Sequence, residues 1–174
     1  DGAWLAVEAL VRSDTPKVID ADALFLLAKH GGGVGANTVL TPHPGEMARL
    51  CDTTVQAVLA APVEFAQRLA ADLGACVLLK GARTLVSDGD ATYISLYGTP
   101  ALAKGGSGDV LSGILTALLC QRNRLSVSLS TSALAAYGVL IHALAGLRAE
   151  KQFGANCSTP QALIDAIRLD DKEL

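Results

Sequence analysis

The chain has 174 residues, enough for one full domain and too few for two independent folds of ordinary size. Hydrophobic residues make up 51% and charged residues 18%, with a mean hydropathy of +0.39, a balance that supplies a core and excludes disorder, collagen and a simple coiled coil. Fourteen Lys and Arg against 17 Asp and Glu leave a net charge of −3, too weak to predict a nucleic-acid or membrane-surface partner.

Gly2 to Val11 places Ala3, Leu5, Ala6, Ala9 and Leu10 at helical spacing, and Pro16 stops the pattern. A short buried strand is predicted at residues 17–19, followed by Asp20 and Asp22 at its carboxyl end and a helix over 23–29 that Gly31 to Gly33 terminate. The next strand covers 37–40. Two prolines in Thr41-Pro-His-Pro-Gly-Glu46 then forbid further strand, so His43 is predicted on a loop, with a short helix from Met47. Pro62 to Leu73 is amphipathic, with Phe65, Ala66, Leu69, Ala70 and Leu73 on one side, and Gly74 caps it before a strand at 76–79. The runs 84–86 and 92–96 flank Ser87-Asp-Gly-Asp90, a hairpin turn that makes the sheet mixed at one edge. Residues 110–120 are almost wholly apolar and predict a helix buried inside the molecule, 131–150 predict a long helix, and Ser158-Thr159-Pro160 caps a last one at 161–168 before a polar tail. Strands alternating with helices define an α/β class with a mainly parallel sheet.

The longest uncharged run, 125–147, has bilayer-spanning length. Ser126, Ser128, Ser130, Thr131 and Ser132 crowd its first half, and the apolar stretch from Ala133 has the size of a buried helix. The opening Asp1-Gly-Ala-Trp4 lacks the basic region of a signal peptide, and Cys51, Cys76, Cys120 and Cys157 form no C-x-x-C pair. These features predict buried thiols, a soluble chain and a cytoplasmic setting without membrane partners.

The sharpest chemical feature is Gly105-Gly-Ser-Gly-Asp109, running directly into a helix. Such a loop aims free main-chain N–H groups and the positive helix end at one point, which suits an anion, and Asp109 falls in the first turn where its carboxylate can take a proton from a hydroxyl. Taken alone, the five residues equally describe a glycine turn with a dipole-stabilising acid. No G-K-[ST] follows the glycines, so the loop is not a Walker motif, and residues 98–104 separate it from the preceding strand, so it is not a dinucleotide fingerprint.

Four segments in order, Val18-Ile-Asp-Ala-Asp-Ala-Leu24, Leu40-Thr-Pro-His-Pro-Gly-Glu46, Leu79-Lys-Gly-Ala-Arg-Thr84 and Gly98 to Gly113, resemble the nucleotide-dependent NAD(P)HX dehydratases of the ribokinase-like superfamily. The resemblance runs from about Val18 to Arg168 and rests above all on HPGE and GGSGD together. It implies a ribokinase-like three-layer sandwich, with residues 1–174 forming the carboxyl-terminal portion of a family domain that normally begins well before Asp1 and occurs elsewhere fused to an epimerase domain. The activity it implies is repair of NADHX and NADPHX: ADP or ATP, with Mg²⁺, phosphorylates the ring hydroxyl, and phosphate is then eliminated. A homo-oligomer is also expected. Two alternatives use the same residues, a superfamily kinase that stops at a phosphoester of a hydroxymethylpyrimidine or sugar alcohol, and a truncated domain that binds nucleotide without turnover.

By position, the resemblance makes Asp109 the catalytic residue at the reacting hydroxyl and assigns Gly105, Gly106, Ser107 and Gly108 to the nucleotide's anion hole. Lys80, Gly81, Ala82, Arg83 and Thr84 match the segment along the nucleotide, and His43 matches a contact to the hydrated nicotinamide. Glu46 is suited to organising the HPGE loop or a metal's water shell. The residues alone leave His43 open as a loop tether, and leave Asp20 and Asp22 open between a magnesium water shell and helix capping. His142, within an apolar helix, reads as a core histidine. Thr99, Ala101 and Leu147 stand where the family often has Asn, Gly and Asp. The metal ligands are left unassigned.

Overall fold

The computed structural model describes residues 2–124, 128–156 and 159–169. Asp1, Leu125, Ser126, Val127, Cys157, Ser158 and the polar tail from Asp170 lie outside the described residues. Five short strands form one sheet in the order β1 to β5: β1 (Lys17–Ile19), β2 (Thr38–Leu40), β3 (Cys76–Leu79), β4 (Leu85–Ser87) and β5 (Thr92–Ile94). The first three are parallel, with Val18 opposite Val39 and Leu40 opposite Val77. The last two are antiparallel, with Leu78 opposite Val86 and Val86 opposite Tyr93. The hairpin expected at one edge is therefore present.

Alternation along the strands divides the core into two layers. Leu40, Val77, Leu79 and Leu85 face α1 (Gly2–Val11), α2 (Asp22–His30), α3 (Pro44–Leu50), α4 (Val55–Ala60) and α5 (Pro62–Leu73), whose Leu24, Leu27, Met47, Val58, Ala66 and Leu69 complete that side. Val39, Cys76, Leu78 and Val86 face the opposite way, onto Leu111, Leu115 and Leu119 of α6 (Ser107–Gln121) and Leu134, Ala135 and Val139 of α7 (Thr131–Phe153). A smaller apolar cluster ties α6 and α7 to α8 (Pro160–Asp165). Helix, sheet and helix thus form the expected three layers. Among the described residues, α7 is long and apolar enough to cross a membrane by length and composition; here much of it is buried against the sheet and α6.

Three expectations need correction. The prolines of the HPGE segment do not delay helix α3 to Met47: Pro44 is its first residue and His43 its N-cap, because a proline at that position gives up only an N–H that the helix leaves unbonded anyway. Helix α6 is not buried all round. Val110, Leu111, Leu115 and Leu119 face inward while Asp109, Gly113 and Ala117 are exposed, since an apolar composition cannot distinguish a second core face from the wall of an open cavity. The cysteines are not uniformly buried either: Cys76 is buried, Cys51 partly so, and Cys120 exposed on that same outer side of α6. Helix α4 was not anticipated; Thr54 caps it by accepting from the Ala57 N–H.

Candidate active site at the amino end of helix α6

Parallel strands deliver their carboxyl ends to one side of a sheet, and here that side collects Asp20 after β1, Thr41 to His43 after β2 and Lys80 after β3. The amino end of α6 arrives at the same place. The bridge is chemical as well as spatial: Lys80 Nζ lies 2.8 Å from Asp20 Oδ1 and 3.8 Å from Glu46 Oε2, and Ser112 Oγ in the second turn of α6 donates to Asp20 Oδ2 at 3.2 Å. Burial pulls the Asp20 carboxyl upward, but the hydrogen bond and charge of Lys80, together with bonds from Thr41 and the Ala21 N–H, outweigh it and hold the group below the usual carboxylate range. Asp20 and Asp22 therefore separate in role. The first is locked to Lys80, and the second is exposed in the first turn of α2, where a carboxylate complements the helix dipole.

His43 and Glu46 form a reciprocal cap. Nδ1 of His43 accepts from the N–H groups of Gly45 and Glu46 at 3.0 and 3.2 Å, and Glu46 Oε2 accepts from the His43 N–H at 2.7 Å. These contacts show one of the two roles that the sequence left open for Glu46, the organising of its loop. Because Nδ1 is engaged, Nε2 of this largely exposed ring is the nitrogen left to meet a ligand, and it already has Glu46 Oε1 at 3.5 Å.

The glycine loop enters α6 through Gly106, whose φ of 86° lies in the left-handed region that alanine adopts only with strain. Ser107 N–H is taken up by the Lys104 carbonyl at 3.2 Å, and Val110 N–H begins the helical ladder on Gly106. Among the described residues, the N–H groups of Gly105, Gly106, Gly108 and Asp109 have no protein acceptor. Four of the five loop residues thus offer main-chain donors at a helix start, while Ser107 spends its own on shaping the turn. A Cβ on Gly108 would sit 3.8 Å from Asp20 Oδ2 and 4.0 Å from Lys80 Nζ, so the Asp20–Lys80 pair stands beside this residue. The Gly108 N–H, the positive end of the helix dipole and the Lys80 ammonium thus meet at the edge of one cavity.

A cavity of about 600 Å³ opens there, lined by His43, Lys80, Gly81, Ala82, Thr84, Ser107, Gly108 and His142 together with Tyr97, Leu102, Leu111 and Val139. Polar groups beside aromatic and aliphatic walls match what a nucleotide presents. The close approach of its two sides is set by Gly98, where a Cβ would fall 2.4 Å from the Ala82 carbonyl oxygen. Arg83 and Gly105 are not among the lining residues, and Arg83 is exposed. Asp109 is placed around the helix from Ser107 and Gly108. Its exposed carboxyl-bearing position, with Gly106, borders a second cavity of about 610 Å³ whose walls are Val110, Ile114, Leu118, Ile141, Pro160, Ile164 and Ile167. The amino end of α6 is the partition between the two. No group of three or more His, Cys, Asp or Glu side chains suited to a metal is found among the described residues.

Sequence reasoning missed the tie between Asp20 and Lys80 and the apolar walls of the cavity. His142 was recognised as buried, but not its contacts to Ser107 on α6.

This sheet order, with a glycine turn opening a helix beside the ends of parallel strands, defines a ribokinase-like α/β domain. A ribokinase-like superfamily protein of Enterococcus faecalis has the same fold, with a TM-score of 0.71 at 23% identity over 95% of this chain and 59% of that one. The family model for NAD(P)H-hydrate dehydratase matches residues 1–169, and the chain belongs to that family. A bifunctional NAD(P)H-hydrate repair enzyme of Moorella thermoacetica is 41% identical over 165 residues, covering 92% of this chain and 30% of that protein. The ADP/ATP-dependent NAD(P)H-hydrate dehydratase of Bacillus subtilis, co-crystallized with ATP and Mg²⁺, superposes with a TM-score of 0.76 at 27% identity over 92% of this chain. The chain spans 56% of that structure and less than a third of the Moorella protein.

Proposed function

We propose that this chain carries the nucleotide site of an ADP- or ATP-dependent dehydratase that returns NADHX and NADPHX to NADH and NADPH. The observation that carries the reading is the amino end of α6, where the N–H groups of Gly105, Gly106, Gly108 and Asp109 have no protein acceptor among the described residues and Gly108 lines, with Lys80, a cavity of about 600 Å³. The terminal phosphate rests on those donors and on Lys80, which Asp20, itself held by the Ser112 hydroxyl, keeps from swinging away. The nucleoside lies against the apolar walls of Tyr97, Leu102 and Val139.

The hydrated ring enters past His43, which lines the same cavity as Lys80 and Gly108, and the Asp109 carboxylate, one residue beyond Gly108 in the first turn of α6, takes the proton of its hydroxyl as the oxygen attacks phosphorus and the nucleotide departs as AMP or ADP. The ring C–O bond then breaks with phosphate as leaving group, a proton leaves the neighbouring carbon, and the double bond returns. A hydroxyl is a poor leaving group at neutral pH, and this route replaces it with a good one. His43 orients the nicotinamide through Nε2. The residues suit Mg²⁺ carried on the nucleotide rather than caged by protein, because Asp20 and Glu46 offer two carboxylates near Lys80 and no third ligand joins them among the described residues. When bound, the ion neutralises phosphate charge.

The full-length natural protein is incubated with NADHX, Mg²⁺ and either nucleotide, and recovery of reduced-nicotinamide absorbance is followed. Recovery that Asp109→Asn lowers by roughly 100- to 10,000-fold supports the reading. No recovery with either nucleotide refutes it, and a stable phosphoester in place of NADH identifies a kinase. A cytoplasmic homo-oligomer is part of the same proposal, tested by light scattering and by cell fractionation.

A further inference from the structure

His142 sits midway along α7 and is only 8% exposed, yet it is not idle core. Its Nε2 lies 3.0 Å from the Ser107 carbonyl oxygen and 3.1 Å from Ser107 Oγ. A carbonyl oxygen can only accept, so the proton is on Nε2 and the neutral ring keeps Nδ1 as a bare acceptor. Burial, which outweighs the bond to Ser107, pushes the imidazole pKa down to about 4 and keeps the ring uncharged at neutral pH. Nδ1 has no protein partner, no buried polar side-chain atom in the described chain is left unsatisfied, and His142 lines the nucleotide cavity; Nδ1 therefore meets the cavity's open space.

The carbonyl that His142 grips belongs to the peptide unit joining Ser107 to Gly108. That unit is planar and trans, so its N–H points opposite to its C=O. Fixing the Ser107 carbonyl therefore fixes the direction of the Gly108 N–H, which has no protein acceptor and borders the cavity beside Lys80. The Ser107 carbonyl also belongs to the α6 ladder, but the Gly108 N–H lies in the unbonded first turn, just beyond the left-handed Gly106, so His142 adds a hold on this peptide from outside α6.

We propose that His142 is a positioning residue for phosphate binding: from α7 it clamps the Ser107–Gly108 peptide so that the Gly108 N–H is aimed at the nucleotide's phosphate. The proposal rests on the reading that this cavity takes ADP or ATP. It adds a role for a side chain that touches neither the reacting hydroxyl nor, through Nε2, the phosphate itself.

The test is ADP binding with Mg²⁺, measured by calorimetry on the natural protein and on His142→Leu and His142→Gln, with the Gly108 amide followed by NMR. His142→Leu is expected to weaken ADP by about tenfold and to abolish the downfield shift of the Gly108 amide on ADP addition. His142→Gln, which keeps an N–H at similar reach, is expected to stay within about threefold of the parent. Equal affinity and an unchanged Gly108 shift in His142→Leu would overturn the clamp while leaving the nucleotide reading intact. Failure of the parent protein itself to bind ADP would overturn both. Imidazole ¹⁵N shifts of the parent supply an arm that needs no variant: a protonated Nε2 agrees with the clamp, and a protonated Nδ1 contradicts it.

Discussion

Replacing Gly106 by alanine tests the loop that the whole site depends on. The residue has φ 86°, and a Cβ built there falls 2.6 Å from Pro160 Cγ and 3.3 Å from Pro160 Cβ, at the first position of α8. An alanine in the left-handed region costs about 1 kcal/mol. The contact cannot be relieved by rotating a flexible side chain, because the proline ring is rigid, so α8 or the loop must move, at about 1–3 kcal/mol. The combined loss is about 2–4 kcal/mol, which for a chain of this size lowers Tm by about 4–16 °C. Either relaxation also reorients the unbonded Gly105 and Gly106 N–H groups, and ADP affinity is expected to fall with stability. Urea unfolding and ADP calorimetry on Gly106→Ala, Pro160→Ala and the double variant separate the two terms. The double variant should recover the contact term, a coupling of about 1–3 kcal/mol, and retain the backbone strain. Gly106→Ala with unchanged stability and unchanged ADP affinity would refute the reasoning, and a double variant no better than the single would remove Pro160 from it.

Other outcomes follow from the charged and strained groups around the loop. Lys80→Met should weaken ADP by about tenfold or more, since a charge-assisted contact to phosphate is lost; unchanged affinity in calorimetry would contradict the placement of the phosphate. Asp20 contributes stability that is present above its unfolded pKa of about 3.9 and is lost as pH falls through its lower folded value, so Asp20→Asn should flatten the acid limb of the urea-midpoint profile. An equally steep limb in that variant would show that the Lys80 pair does not stabilise the charged form. His142 has the opposite charge sense but the same direction. The unfolded chain takes up its proton near pH 6.5, the folded one only near pH 4, so stability falls by about 3 kcal/mol as pH drops through that window, and His142→Gln should remove this slope. Ala21, with φ 50° and ψ −122°, occupies backbone space suited to glycine directly after Asp20; Ala21→Gly should raise stability by about 1 kcal/mol, and no gain in the urea midpoint would mean the turn relaxes without strain.

Much of the architecture was legible because it is written in local chemistry. Apolar runs of strand length alternated with helical spacing, and Ser87-Asp-Gly-Asp90 announced the antiparallel edge that β4 and β5 form. The loop Gly105 to Asp109 was legible for the same reason, since glycine and a helix start imply free N–H groups in any context. What could not be read is what tertiary packing decides. Asp20 and Lys80 are 60 residues apart and meet only because β1 and β3 flank β2 in one parallel sheet, so the sequence left Asp20 undecided between capping and chemistry. His142 was recognisable as buried, but its partner, Ser107, lies 35 residues away on another helix. The HPGE segment was misread in its helix start because two prolines look like breakers, whereas one of them occupies the single helical position where a missing N–H costs nothing. Helix α6 was misread in burial because Ile114 and Leu118 face a cavity shared with α8 and not a closed core.

The account's central claim is that the amino end of α6, with Lys80 beside it, holds a nucleotide's phosphates. A crystal structure of the natural protein grown with ADP and Mg²⁺ measures this directly. The claim predicts phosphate oxygens within hydrogen-bond reach of the Gly106 and Gly108 N–H groups, with the base between Tyr97 and Val139; ADP bound elsewhere, with this loop empty, would contradict it.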